Sequence, residues 1–192
     1  MSKATLTYND YQKAAAKTAI FPKEHALHYT VLGLLSEVGE LAGAYREQKL
    51  SNALGERDWK SFLSEAADIL WYAAALADAL GLELQGIRDE AVLNPDIHTA
   101  YSKGFAVVGI TFDAGEVASA LKKYIRDADK GVDLIGSIYE AKIIKHLGSI
   151  LIHIELLALS KHQTVSELMQ QNIAKLTDRQ NRGVLGGSGD RR

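Results

Sequence analysis

Apolar residues recur along most of this chain at intervals of three and four, the spacing of one face of an α-helix, and no stretch alternates as a half-buried strand does. The pattern predicts an all-α protein. A first helix is expected over 8–19 with Asn9 or Asp10 near its start, a second over about 29–48, and a third over about 59–80 that Gly81 stops. Pro22 closes the connection after the first helix, and Gly55 sits in the loop between the second and third. The most apolar stretch, 150–159, carries His153 and Glu155 and is far shorter than the roughly 20 residues of a membrane span, so it reads as buried helix.

The pattern of the first half returns in the second. Gly33, Glu37, Gly39, Glu40 and Ala42 align with Gly109, Asp113, Gly115, Glu116 and Ala118 at a constant offset of 76 (33 to 109). Further on, Ile69, Leu70, Leu76 and Ala77 align with Ile150, Leu151, Leu157 and Ala158 at an offset of 81 (69 to 150), as if the second copy held a loop five residues longer. The expectation is a four-helix-bundle unit duplicated in tandem, with repeats 1–95 and 96–192 and a seam over 94–101, where Pro95 breaks the periodicity. Two such units folded together as a pseudodimer bury one shared core, which a small unit needs.

Within the second predicted helix, Val31, Leu34, Leu35, Val38, Leu41, Ala42 and Tyr45 make an apolar face, and Glu37 and Glu40 lie beside it on a stripe with Gly33 and Ala44. On the third, Phe62, Leu63, Ala66, Ile69, Leu70, Ala73 and Leu76 form the core face, with Glu65, Asp68 and Tyr72 along its edge. Four carboxylates brought together between two helices repel one another unless cations neutralise them, and all-oxygen ligation suits magnesium, with manganese as a substitute. A solvated face is the plain alternative for either acidic pair alone.

Composition narrows the partners. The formal net charge of -2 gives no general attraction to a nucleic-acid backbone or to anionic lipid, so neither nucleic acid nor membrane is expected as a partner. With no cysteine, thiolate catalysis and cysteine-held zinc are excluded. The first ten residues lack a basic segment followed by an apolar one, which makes a cytoplasmic location the expectation.

The Glu-Val-Gly-Glu run at 37–40 and Glu-Ala-Ala-Asp-Ile-Leu-Trp-Tyr at 65–72 resemble the ExxE, spacer, ExxD hallmark of MazG-like all-α nucleoside triphosphate pyrophosphohydrolases. The stretch from Asn172 to Arg179, then Arg182-Gly183, resembles the ending of small phage and bacterial members, and Tyr11-Gln12 with Thr18-Ala19 their beginning. The resemblance implies magnesium-dependent hydrolysis of a nucleoside or deoxynucleoside triphosphate to monophosphate and pyrophosphate. It assigns the metal and the catalysis to Glu37, Glu40, Glu65 and Asp68, with Glu40 preferred as general base. Triphosphate contacts fall to Lys175 and Arg179, assisted by Asn172, and Arg182 belongs to the same basic segment. Tyr72, Trp59, His25 and His28 are candidates for contacting the base, although Trp59 and Trp71 equally suit a core or a subunit interface. The tail 183–192 suits a segment closing over substrate or a mobile glycine-rich end. A homodimer of duplicated chains is expected, because the family's single unit is itself oligomeric.

The second copy departs from the hallmark. His146, Ser149 and His153 stand where the first has Glu65, Asp68 and Tyr72, while Asp113 and Glu116 persist; conversely, Ala91 stands in the first where the second has Asn172. One composite site per chain follows, with metal ligands from the first copy and phosphate contacts from the second. His146 and His153 are read as hydrogen-bonded packing residues or a new ligand pair, and Asp113 and Glu116 as relics or as partners of Lys122 or Lys142. A non-catalytic nucleotide-binding or regulatory protein is the alternative function, and a purely structural scaffold a further one. A di-iron bundle is excluded, since no Glu-x-x-His motif is present.

Overall fold

The computed structural model describes residues 5–51, 56–93 and 103–186, with side chains described except at 48–51, 56–61 and 103. Among these residues every regular element is helical. Seven α-helices follow in order: α1 (Tyr8–Ala16), α2 (Ala26–Ser51), α3 (Glu56–Leu80), α4 (Leu84–Val92), α5 (Lys103–Asp127), α6 (Ile138–Leu159) and α7 (Val165–Asn181). The expected seam around Pro95, Gly55 and the end of the tail lie outside the described residues.

The helix ends depart from the periodicity where short polar side chains intervene. Thr7, not Asn9 or Asp10, caps α1, its hydroxyl accepting from the Asp10 backbone N–H at 3.1 Å. That helix stops at Ala16 instead of 19. Thr18 turns its hydroxyl back onto the Ala15 carbonyl and accepts from the Trp71 ring N–H at 2.9 Å, a tertiary contact no local pattern encodes. Before α2, a 3-10 turn at Lys23–His25 leads straight into the helix, so it begins three residues ahead of expectation. Glycines in the left-handed region end two segments, Gly81 after α3 and Gly131 after the 3-10 turn Ala128–Lys130 that follows α5.

Packing is in pairs that exchange their last helices. α2 lies along α3 and α5 along α6, and the pairs meet chiefly through α2 against α5. The short α4 then packs mainly on α6, whereas α7 packs mainly on α3. Each half thus lends its terminal helix to the other. One large core runs through all seven helices, with Tyr11, Leu34, Ile69, Leu84, Ile110, Ile150 and Met169 all sealed from solvent, and a small satellite joins Ala91 to Ile152. The apolar stretch expected to be buried helix lies in α6 and is buried over most of 150–158, while Leu159 at its end is exposed.

Among the described residues α5 is the one helix long and apolar enough to cross a membrane. Its surroundings here are those of a bundle helix: Ile110, Ala114 and Val117 are buried, α2 and α6 flank it, and Asp113 is enclosed midway along it.

Candidate metal centre

Three of the four expected carboxylates converge. Glu37 on α2 and Glu65 and Asp68 on α3 each place an oxygen so that the three lie within 4.8 Å of one another, the spacing that a single hard cation bridges. Glu65 is buried at 6% exposure, and all three groups are carboxylates, the oxygen donors that hard cations take. The donor chemistry therefore fits magnesium. Glu40, the fourth expected carboxylate, is outside this group and exposed to solvent. Three residues along a helix amount to about 300° of rotation, so the Glu37 and Glu40 side chains diverge by about 60°. On α2, flanked mainly by α3 and α5, that angle carries Glu40 out to water. By contrast α3 is enclosed by α1, α2, α6 and α7, so the same divergence keeps both Glu65 and Asp68 inside.

The electrostatic consequence falls on Glu37. Partial burial, then the charges of Asp68, Glu40 and Glu65, push its carboxyl up from the usual range to about 8, with Lys175 acting in the opposite sense. Without a metal the site accordingly holds a proton at neutral pH.

From the far end of the chain α7 reaches this cluster. Asn172 Nδ2 donates to Asp68 Oδ1 at 2.8 Å, and Lys175 Nζ donates to Asp68 Oδ2 at 2.5 Å and to Ser64 Oγ at 3.0 Å. Asn172 is itself held, because the buried Tyr11 hydroxyl donates to its Oδ1 at 2.8 Å. The Tyr11 brace and the Ser64 contact are additions that the sequence pattern did not single out. Only the polarity of Ser64 beside Glu65 hinted at the latter.

The other expected contacts are placed differently. Arg179 is buried in the last turns of α7 at 4% exposure and is engaged there, not presented to solvent. Arg182 is exposed and ion-paired with Asp178 one turn back, at 2.8 Å. His25 and His28 are exposed where the chain enters α2. Trp59 lies on α3 with its side chain outside the described residues. Trp71 is core, bonded to Thr18, while Tyr72 is half-buried and meets Trp71 edge to face at 4.9 Å. Phe21 stacks on Tyr29 at 4.7 Å and Tyr29 approaches Tyr72 at 6.3 Å, an aromatic wall whose Tyr72 end lies near Glu37 and Asp68.

Aligned positions make matching contacts in the second half, with different chemistry. Tyr72 crosses Gly33 so closely that a Cβ there would lie 1.9 Å from its ring, and His153 crosses Gly109 with 2.6 Å left for a Cβ. Asp113, at the Glu37 position, takes His146 Nδ1 at 2.7 Å on one oxygen and the Ser149 hydroxyl at 2.6 Å on the other. His153 Nδ1 stands 3.6 Å from that second oxygen. Burial raises the Asp113 carboxyl, but donation from His146, His153 and Ser149 outweighs it and holds the group below the usual carboxylate range. The histidines thus face Asp113, which is satisfied by them and by Ser149, not by the suggested Lys122 or Lys142.

Among the described residues these features define an all-helical protein with one cluster of three carboxylates from the first half, met by Asn172 and Lys175 from the second. No family model matches it, and no solved structure matches it. The chain is 33% identical over 88 residues to the Gene 37 protein of Mycobacterium phage L5, a match covering 46% of this chain and 75% of that protein. It belongs to the family of that phage protein.

Proposed function

We propose that this chain is a MazG-like pyrophosphohydrolase, a tandem duplication in which one composite site cleaves a nucleoside or deoxynucleoside triphosphate to the monophosphate and pyrophosphate. The observation that carries the reading is the convergence of Glu37, Glu65 and Asp68 within 4.8 Å, at a point where Lys175 from the other half also arrives. Glu37, Glu65 and Asp68 are the residues that would hold magnesium, and the ion, when bound, would neutralise their charge and polarise a phosphoryl group. Lys175 supplies positive charge beside the acids, suited to the oxygens of the leaving pyrophosphate. Asn172, braced by Tyr11, fixes the orientation of Asp68. Glu40, near Glu37 and open to solvent, is free to accept a proton from water. The aromatic wall of Phe21, Tyr29 and Tyr72 offers flat apolar surface for a base.

A panel of ribo- and deoxyribonucleoside triphosphates with magnesium, read for monophosphate and pyrophosphate, tests the reading. Turnover of at least one member, abolished in Glu65→Gln, is expected. Release of single phosphate overturns the assigned reaction, and binding without turnover favours a regulatory nucleotide-binding protein.

A further inference from the structure

Both oxygens of Asp68 are already engaged, and the two engagements differ in kind. On Oδ1 the donor is Asn172, which is 1% exposed and locked from behind by the fully buried Tyr11 hydroxyl. On Oδ2 the donor is Lys175, whose ammonium sits on a flexible four-carbon stem with its side chain 23% exposed and with Ser64 as a second partner. One hold is rigid and the other can swing.

Resting on the metal-dependent reading above, we propose that Lys175 is an internal counter-cation of the carboxylate cluster, one that a divalent cation displaces from Asp68 and that then turns to the triphosphate. The ammonium and a metal compete for the same lobe of Asp68, since Asn172 retains the other oxygen. An ammonium driven off Asp68 needs a new anion, and a triphosphate arriving at the metal supplies one. Metal and triphosphate therefore bind with positive coupling, and by linkage each raises the affinity for the other by the same factor. A triphosphate without metal finds Lys175 still paired, and a metal without triphosphate has to strand it. Neither ligand alone is held as well as the two together.

The test is calorimetric and needs no turnover. Magnesium is titrated into wild type and Lys175→Met at one pH in two buffers of different ionisation enthalpy, so that any proton released on binding is counted and removed from the comparison in both proteins. Lys175→Met is expected to bind magnesium about tenfold more tightly, within the usual range of such couplings, yet to bind inorganic tripolyphosphate less tightly once magnesium is saturating. Because deleting any positive charge favours a cation, Ser64→Ala supplies the uncharged control. It removes only the resting partner of Lys175 and is expected to tighten magnesium a few-fold, about the effect of one hydrogen bond to a charged group. It also decides the matter should Lys175→Met fail to fold. Unchanged or weaker magnesium binding in Ser64→Ala, or equal tripolyphosphate affinity in Lys175→Met and wild type, overturns the exchange. If wild type binds magnesium and Glu65→Gln does not, such a failure is confined to the exchange. If wild type and Glu65→Gln both fail to bind magnesium, the metal-dependent reading itself falls.

Discussion

At the scale of single residues, Glu37 ties the site to pH. A carboxyl whose folded value is raised to about 8 binds its proton more tightly in the native than in the unfolded chain. Its contribution to stability is therefore fully present below the ordinary carboxylate value of 4.5 and is lost as pH rises through about 8. The metal-free protein should melt at progressively lower temperature as pH is raised across that window, and Glu37→Gln, which cannot ionise, should flatten the trend. Saturating magnesium, on the metal-dependent reading, should flatten the slope, because the metal-bound folded site is then as deprotonated as the unfolded chain across this window. Melting curves across this range with chelator, then with magnesium, check both statements, and an unaltered slope in Glu37→Gln would refute the first. A second residue-level constraint is steric. An alanine at Gly33 would put its Cβ 1.9 Å from Cε1 of Tyr72, so the ring has to leave its place beside Trp71. Gly33→Ala should cost about 1–3 kcal/mol, the usual toll of overpacking. Adding Tyr72→Ala should recover part of that loss, and strictly additive effects in denaturant titrations would mean that the two side chains do not meet.

At the scale of elements, α7 shows how a helix is started by one interaction and positioned by others. Its first turn carries a full capping box, the Thr164 hydroxyl accepting from the Glu167 N–H while Glu167 accepts from the Thr164 N–H at 2.8 Å. Burial of Leu168, Met169 and Asn172 then fixes which face α7 turns to α3. Thr164→Ala should therefore cost about 1 kcal/mol and speed amide exchange in the first turn of α7. It should leave magnesium affinity unaltered, because Asn172 and Lys175 lie two to three turns farther on; a matching loss of magnesium affinity would show that the cap also sets the site. The same division explains what could be read in the residues beforehand. Apolar spacing of three and four located α2 and α3, the apolar stretch 150–159 pointed to the second half of α6, and the ExxE and ExxD spacings singled out Glu37, Glu65 and Asp68, which lie together. Two things depend on relations between helices and have no local signature. One is the roll of α2 about its axis, which leaves Glu40 in water; the other is the crossing of α7 onto α3, which buries Arg179 yet sets Lys175 against Asp68. The aligned repeat hinted at the crossing, since Asn172 has no counterpart at Ala91.

At the scale of the whole molecule, the halves make comparable contacts with unequal chemistry, and the inequality can be measured. In the first half Glu37, Glu65 and Asp68 lie together with the Glu37 carboxyl pushed up to about 8, and the positive side chain on Asp68 comes from α7. In the second half both oxygens of Asp113 are met internally, one by His146 and the other by Ser149 with His153 nearby. Catalysis and stability should accordingly separate. Glu65→Gln removes a buried carboxylate of the proposed metal site and should lower turnover by more than about a hundredfold, beyond the loss usual for an outer-shell partner. Asp113→Asn removes the charge that faces His146 and should cost about 1–3 kcal/mol in stability. Once the variant is compared with wild type well below its melting temperature, turnover should stay within about twofold, too small a change to count as a lost transition-state contact. Magnesium stoichiometry should follow the same asymmetry, falling away in Glu65→Gln and unchanged in Asp113→Asn. If Asp113→Asn were to match Glu65→Gln in lost turnover or lost metal, the second half would hold a working site of its own. The reciprocal loan of α4 and α7 would then serve two centres, and not the single composite one that Lys175 and Asp68 define.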